Sequence, residues 1–539
     1  MNFLTSKYLF LCYFIFISLG CPANPNLETQ KALSVEETIA LAGNSDSEKE
    51  RYHLLNGLQS HPDIDNDVLE ELQDLLPFID QWANGRDKYH VPGDQELAGE
   101  GGYLAGFFVA DIWPGDMTYP SLIRGLSPLY PIWCLYRGRM LIWQAIEMGV
   151  LTELYFTEGR ELLEEATSAF PDNKMILTYL GAKEKWAYHV PDTTTAPKWA
   201  VAQQKVLSHL EEILHFWITE RQASDGQMGG GWGDDVEMWR KWTPILLPFE
   251  HQASKNAQEK LANGIFDLPR LAGGYTNIMT DVEHSSEDSG DSLLAMLLLN
   301  PDSEKWQEKA FVIGELMRDV WTAKNELGFL QFQSTYFTAT EVSSNDSFAC
   351  DTAYHVRAIQ PTLLMWYRDQ ANSLDPLFKS WLKTWANSVM HEANGKPPGV
   401  IPSSIHFPSG LPGGPNPTWW NPGCHITDKT FQYPRALSFM TEALIVAYLR
   451  TEDPTYLEPF HQMIEAWTQT RIAPTDAASG NLQWATDKMK KYLPSALSKF
   501  RLATGKTDFD DFIVAEGDAW ERHLIQPNEE DVIASLQQS

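Results

Sequence analysis

The sequence predicts an all-α chain, and three observations carry that expectation. Apolar and aromatic residues recur at helical spacing through most of the chain from about residue 34 onward. Strand-like alternation is confined to one candidate hairpin, GFLQFQSTYFTATEV at 328–342, rich in Phe, Thr and Tyr. No low-complexity linker and no fixed repeat period interrupts the body, so a single domain over 34–539 is expected rather than a strict solenoid.

In chain order, the first element is a targeting segment. Lys7 precedes the apolar run YLFLCYFIFISLG, which ends at Cys21. Residues 1–21 predict a signal peptide of lipoprotein type, in which Cys21 would carry the lipid, although Ser18 stands where such boxes usually hold Leu. Plain secretion and an uncleaved anchor are the alternatives, and the run is short for a membrane span. Residues 22–33 then read as a tether, and contact with a membrane is expected only through the lipid. With Cys12 and Cys21 assigned to this segment, Cys134, Cys350 and Cys424 allow at most one bridge, and no Cys/His spacing suggests zinc.

Helical stripes follow at 121–148, 151–169, 198–222, 303–323, 374–393, 430–450 and 456–471. Between them lie long loops rich in Gly and Pro, at 96–120, 225–237, 273–291 and 395–428, which carry the polar and aromatic clusters. Loops of this length in a compact protein usually serve function. Helices alternating with such loops fit an incomplete ring of helical hairpins, an α/α toroid.

Composition narrows the ligand. The formal net charge of −31 excludes a nucleic-acid footprint. The chain carries 20 Trp, 19 Tyr and 25 Phe, flat faces suited to stacking on sugar rings. The first candidate stretch, GGGWGDDVEMWR at 229–240, pairs three glycines with Trp232, Asp234, Asp235, Glu237 and Arg240. Asp234 and Glu237 have the spacing of a capping box opening a helix whose apolar face is Trp239, Trp242 and Leu246. Capping leaves the glycines and Trp232 unexplained, and these suit a loop where a ligand meets the backbone and an indole platform. A calcium site is conceivable there, but no EF-hand spacing supports one and no cofactor is required.

The second stretch, TDVEHSSEDSGDS at 280–292, offers His284, Glu283 and Glu287 in a loop, with Ser285 and Asp288 spaced to cap the helix from Leu293. The third, CDTAYHVRAIQP at 350–361, is expected to be helical, pairing Tyr354 with Arg357 on one face and Asp351 with His355 on another. An arginine there favours phenolate and lowers the tyrosine pKa, and Pro361 is expected to stop or kink the helix. Tyr336 lies in the strand candidate. The Pro/Gly-rich segment 396–429 adds Trp419, Trp420 and His425, either as sugar subsites or as a cover over helix ends.

In helical pattern, lipoprotein-like export and aromatic loops, the chain resembles the α/α-toroid polysaccharide lyases and glycoside hydrolases of secreted bacterial lipoproteins. The resemblance covers most of the chain and implies that architecture and a polysaccharide substrate. No motif matches residue by residue, so it assigns no catalytic residue.

Two enzyme chemistries fit the residues. A lyase acting on a uronate polysaccharide needs a base and a group to neutralise the carboxylate. Tyr354, Tyr336, His284, His355 and Arg357 supply these, and this β-elimination is the favoured expectation. A glycoside hydrolase needs two carboxylates, available from Asp234, Asp235 and Glu237 with Glu283 and Glu287. A glycan-binding lipoprotein without catalysis is the non-enzyme alternative. Trp232, Glu237, Arg240, Trp419, Trp420 and His425 are the expected substrate contacts, with no metal.

Overall fold

The computed structural model describes residues 33–45, 47–89, 127–148, 152–181, 195–228, 232–246, 252–416, 418–425, 431–435, 437–472 and 478–538. Residues 1–32 with Cys21, the aromatic loop 96–120, and Gly229-Gly230-Gly231 lie outside them. The described chain is mostly helical with a few short strands, as the periodicity predicts. Among the described residues no helix is long and apolar enough to cross a membrane.

The buried apolar side chains fall into two clusters, one drawn from Val35–Ile176 and one from Leu214–Ile513. In the first, Ser34 and Glu37 form a reciprocal capping box on the helix Val35–Asn44. Helices Glu48–Leu58, Asn66–Tyr89, Tyr130–Met148 and Thr152–Ala169 follow. Glu48 lies 2.6 Å from both Arg51 and Arg139 and accepts from the Tyr136 hydroxyl at 2.6 Å. Each of these buried charges therefore has a partner, the condition for their tolerance in a core.

The second cluster centres on helix His355–Tyr367, buried along almost its whole length. Helices Glu304–Leu316 and Leu437–Thr451 and the segment Val282–Leu299 pack against it. The predicted stripe 303–323 resolves into Glu304–Leu316 followed by a π-helical turn, Met317–Trp321, and 198–222 into Lys198–Phe216 and the π turn Trp217–Arg221. Pro361 does not stop its helix. It sits in the middle of His355–Tyr367, where the Arg357 carbonyl it leaves without an i+4 donor is approached by the backbone of Gly290. A Cβ on that glycine would lie 2.9 Å from the Arg357 oxygen.

Strand is more dispersed than the single hairpin expected at 328–342. Leu330–Phe332 pairs antiparallel with Thr322–Lys324, and Tyr336–Phe337 pairs with Thr280–Asp281, placing Asp281 opposite Tyr336. Cys350–Thr352 pairs with Ser404–His406. The start of CDTAYHVRAIQP is therefore strand, and its helix opens only at His355. Strands of two or three residues are too short to show alternation, so periodicity misses them.

Candidate active site

Three elements of the second cluster converge on the Arg357 guanidinium. Helix Trp232–Leu246 contributes Glu237 and Arg240, the segment from Asp281 to Asp291 contributes most of the acids, and helix His355–Tyr367 contributes the arginine. The middle segment is a short helix, Val282–Ser286, running into a π turn, Glu287–Asp291. Asp281 caps it, accepting from the Glu283 and His284 amides at 2.8 and 3.2 Å. Ser285 is thus inside the helix rather than at its start, and His284 and Glu283 stand on its first turn rather than in a loop.

Arg357 is fully buried and pairs with Asp291 through Nε at 3.0 Å and Nη2 at 2.7 Å. Glu237, Glu283 and Glu287 come within 3.5, 3.8 and 3.9 Å of the same guanidinium. Arg240 links Glu237 at 3.0 Å to Asp291 at 3.5 Å. One oxygen from each of Glu237, Glu283 and Glu287 lies within 4.8 Å of the others. Among the described residues those three are the group able to hold a cation, but Arg357 already supplies positive charge against all of them.

Burial sets the protonation of two of the acids, Glu287 and Asp291. Burial, reinforced by Glu237 and Asp234, overcomes Arg357 and His284 and pushes the Glu287 carboxyl up to about 8. Glu287 therefore carries a proton at neutral pH. Burial likewise pushes Asp291 up, against the pull of Arg357 and Arg240. Asp281 hydrogen-bonds the His284 Nδ1 at 2.7 Å and raises that imidazole to about 9. The His284 side chain is 60% exposed, so it presents a positive charge at the mouth of the cluster. His425 Nε2 lies 3.4 Å from the same Asp281 carboxylate, and Tyr336 stacks on Phe348 with its ring 6.2 Å from His425.

Tyr354 joins the cluster in a different state from the one expected. Arg357 does reach its hydroxyl, at 2.9 Å, but the hydroxyl donates to Glu283 at 3.0 Å. Burial, helped by Glu283, outweighs the arginine and raises the phenol. Tyr354 is a neutral donor to a carboxylate.

Several expected residues stand elsewhere. Asp235 is buried and accepts from the Met228 amide at 2.6 Å, so it ties Met228 to the first turn of its helix. That helix begins at Trp232, three residues earlier than a cap at Asp234 requires. Asp234 and Asp235 therefore sit in the first turn, where they favour the helix dipole, and the Asp234 charge helps raise the Glu287 carboxyl. Trp232 is largely buried against Gly264, at the wall of a cavity it shares with Asp225, Asn263 and Asp267. Trp419 is fully buried, donates to the Gly480 carbonyl at 2.9 Å and packs edge-on with Trp420, Tyr433 and Trp484. Trp420 also meets Trp484 edge-on, so the three indoles pack as one group.

His355 is also structural. It is fully buried, stacked 4.1 Å from the Phe332 ring and paired with Asp351 at 3.0 Å. Asp351 in turn accepts from the Phe332 amide at 3.1 Å and from the indoles of Trp381 and Trp385 at 2.8 and 3.3 Å.

Asp281 and Asp291 were not singled out from the sequence. The spacing held the signal: Glu283, Glu287 and Asp291 recur every four residues and so share one helical face. Compared with models of known families, with curated proteins and with solved structures, the chain matches none.

Proposed function

We propose that the chain is a glycoside hydrolase acting on a polysaccharide, with Glu287 as proton donor and Glu283 as nucleophile. One observation carries this reading: a buried carboxyl, pushed up to about 8 by its burial, has an oxygen within 4.8 Å of an oxygen on each of two further carboxylates. Glycosidases need one acid and one carboxylate facing the scissile bond, separated by about 5 Å for retention and about 6.5–9.5 Å for inversion. The close spacing favours retention. Glu287 protonates the glycosidic oxygen as Glu283, oriented by the Tyr354 hydroxyl, attacks the anomeric carbon. Glu287, now ionised, then takes a proton from the water that hydrolyses the glycosyl-enzyme. Arg357 lets the carboxylates sit so close, and Glu237 and Arg240 line the same face.

The β-elimination expected from the sequence is less well supported, because Tyr354 is no base while its proton is donated to Glu283. The exposed imidazolium of His284 is the feature that still suits a uronate carboxylate, and an acidic sugar beside it remains compatible with hydrolysis. A ring of helical hairpins and export through residues 1–21, with a lipid on Cys21, belong to the same proposal.

The deciding experiment supplies a panel of neutral and acidic polysaccharides and follows new reducing ends together with ultraviolet absorbance. Reducing ends without absorbance are expected. Absorbance from an unsaturated uronate would establish the lyase instead, and binding without either product would leave a glycan-binding protein.

A further inference from the structure

The described residues hold three free cysteines, and two of them meet. Cys350 on the strand Cys350–Thr352 and Cys424 near the end of the Pro/Gly-rich segment are both buried, with their thiols in hydrogen-bonding contact. Their backbones are held independently of that contact. The Thr335 amide donates to the Phe348 carbonyl at 2.8 Å while its hydroxyl donates to the Cys424 carbonyl at 2.7 Å. Gly414 lets the segment leading to Cys424 pass close to Cys350: a Cβ there would lie 3.1 Å from the Cys350 sulfur and 2.5 Å from the carbonyl oxygen of Pro422, two residues before Cys424. A disulfide requires the two Cα atoms to lie within about 7 Å of each other, and neighbouring buried thiols are the arrangement in which that requirement is met. Their neighbours in sequence give the link a consequence, since Asp351 anchors His355 and His425 reaches Asp281.

We propose that Cys350 and Cys424 form a disulfide that fastens the His425 segment to the strand carrying Asp351. An exported chain folds where thiols are oxidised, so the proposed export supplies the setting. The step is thiol–disulfide exchange with a disulfide oxidant such as oxidised glutathione. One cysteine thiolate attacks the oxidant and releases one glutathione. The second attacks the mixed disulfide and releases the other. Two electrons and the two thiol protons of the protein thereby pass to the oxidant, leaving two reduced glutathiones. Burial raises the Cys350 thiol far above its ordinary range, so the exchange belongs to folding, before the pair is covered.

The test refolds the full chain from denaturant in oxidised and reduced glutathione, then alkylates it under denaturing conditions and maps its peptides by mass. A peptide pair joining Cys350 to Cys424, lighter by two hydrogens, is expected, with Cys134 alkylated. Reducing the refolded protein should lower its Tm by on the order of 5 °C, and Cys350→Ala together with Cys424→Ala should abolish that drop. Alkylation of both cysteines in protein with native circular dichroism overturns the proposal, as does a bridge to Cys134.

Discussion

Glu287 concentrates what can be tested with single substitutions. Its carboxyl holds a proton up to about pH 8 in the folded chain against an ordinary value of 4.5. Between those values the folded state binds a proton that the unfolded state has released. Stability therefore falls as pH rises from about 4.5 to about 8. Glu287→Gln removes this dependence, so wild-type Tm should decline relative to the variant across that window, and parallel curves would refute the raised carboxyl. The same variant should lose about 10²–10⁴-fold in rate on natural glycosides. Aryl glycosides whose leaving group needs no protonation should still be turned over. Equal loss on both substrates would remove Glu287 from the acid role. For Tyr354→Phe the two chemistries part: a hydrolase loses a donor to Glu283, at about 1–3 kcal/mol of stability and a modest fall in rate, whereas a lyase loses its base. Urea denaturation and single-turnover kinetics on the same sample separate the two.

The π turn Glu287–Asp291 decides how the acids face Arg357. A wider turn moves Glu287 and Asp291 relative to a regular helix, and such turns are frequent at functional sites. Gly290 permits it by letting the turn lie on the Arg357 carbonyl. Gly290→Ala forces a methyl to within 2.9 Å of that backbone oxygen. It should cost about 1–3 kcal/mol, as overpacking does, and should lower kcat by displacing Glu287. Unchanged urea midpoint and activity would show that the turn yields freely. At this scale the sequence was most readable. Stripes such as 151–169 and 456–471 became helices Thr152–Ala169 and Glu458–Thr470, because an amphipathic face must repeat every 3.6 residues to reach a core. The π turns escaped since they continue that pattern with one residue more. The burial of Trp232 and Trp419 was not legible, because an indole reads the same whether it faces a sugar or a core.

For the molecule as a whole, the two apolar clusters predict two cooperative units. Calorimetry should resolve two thermal transitions, only one of which responds to Glu287→Gln, since every group of the candidate site belongs to the second cluster's elements. A single transition reporting both would merge them. Five of the acids, Asp234, Asp235, Glu237, Glu283 and Glu287, were legible as a list, but Asp281, Asp291 and the division of labour were not. That division depends on burial and on Arg357, contributed by an element far along the chain, and no local pattern encodes either.

The Asp351 carboxylate, gripped by two indoles, an amide and an imidazole, also offers a clock. The Trp381 and Trp385 ring protons point at it from inside the core, where solvent deuterium has no access. They can exchange only when the surrounding structure opens, and the free energy of that opening sets their rate. Two slowly exchanging indole resonances would then time the breathing of the strand that leads into Tyr354, in the resting protein and again with a ligand bound.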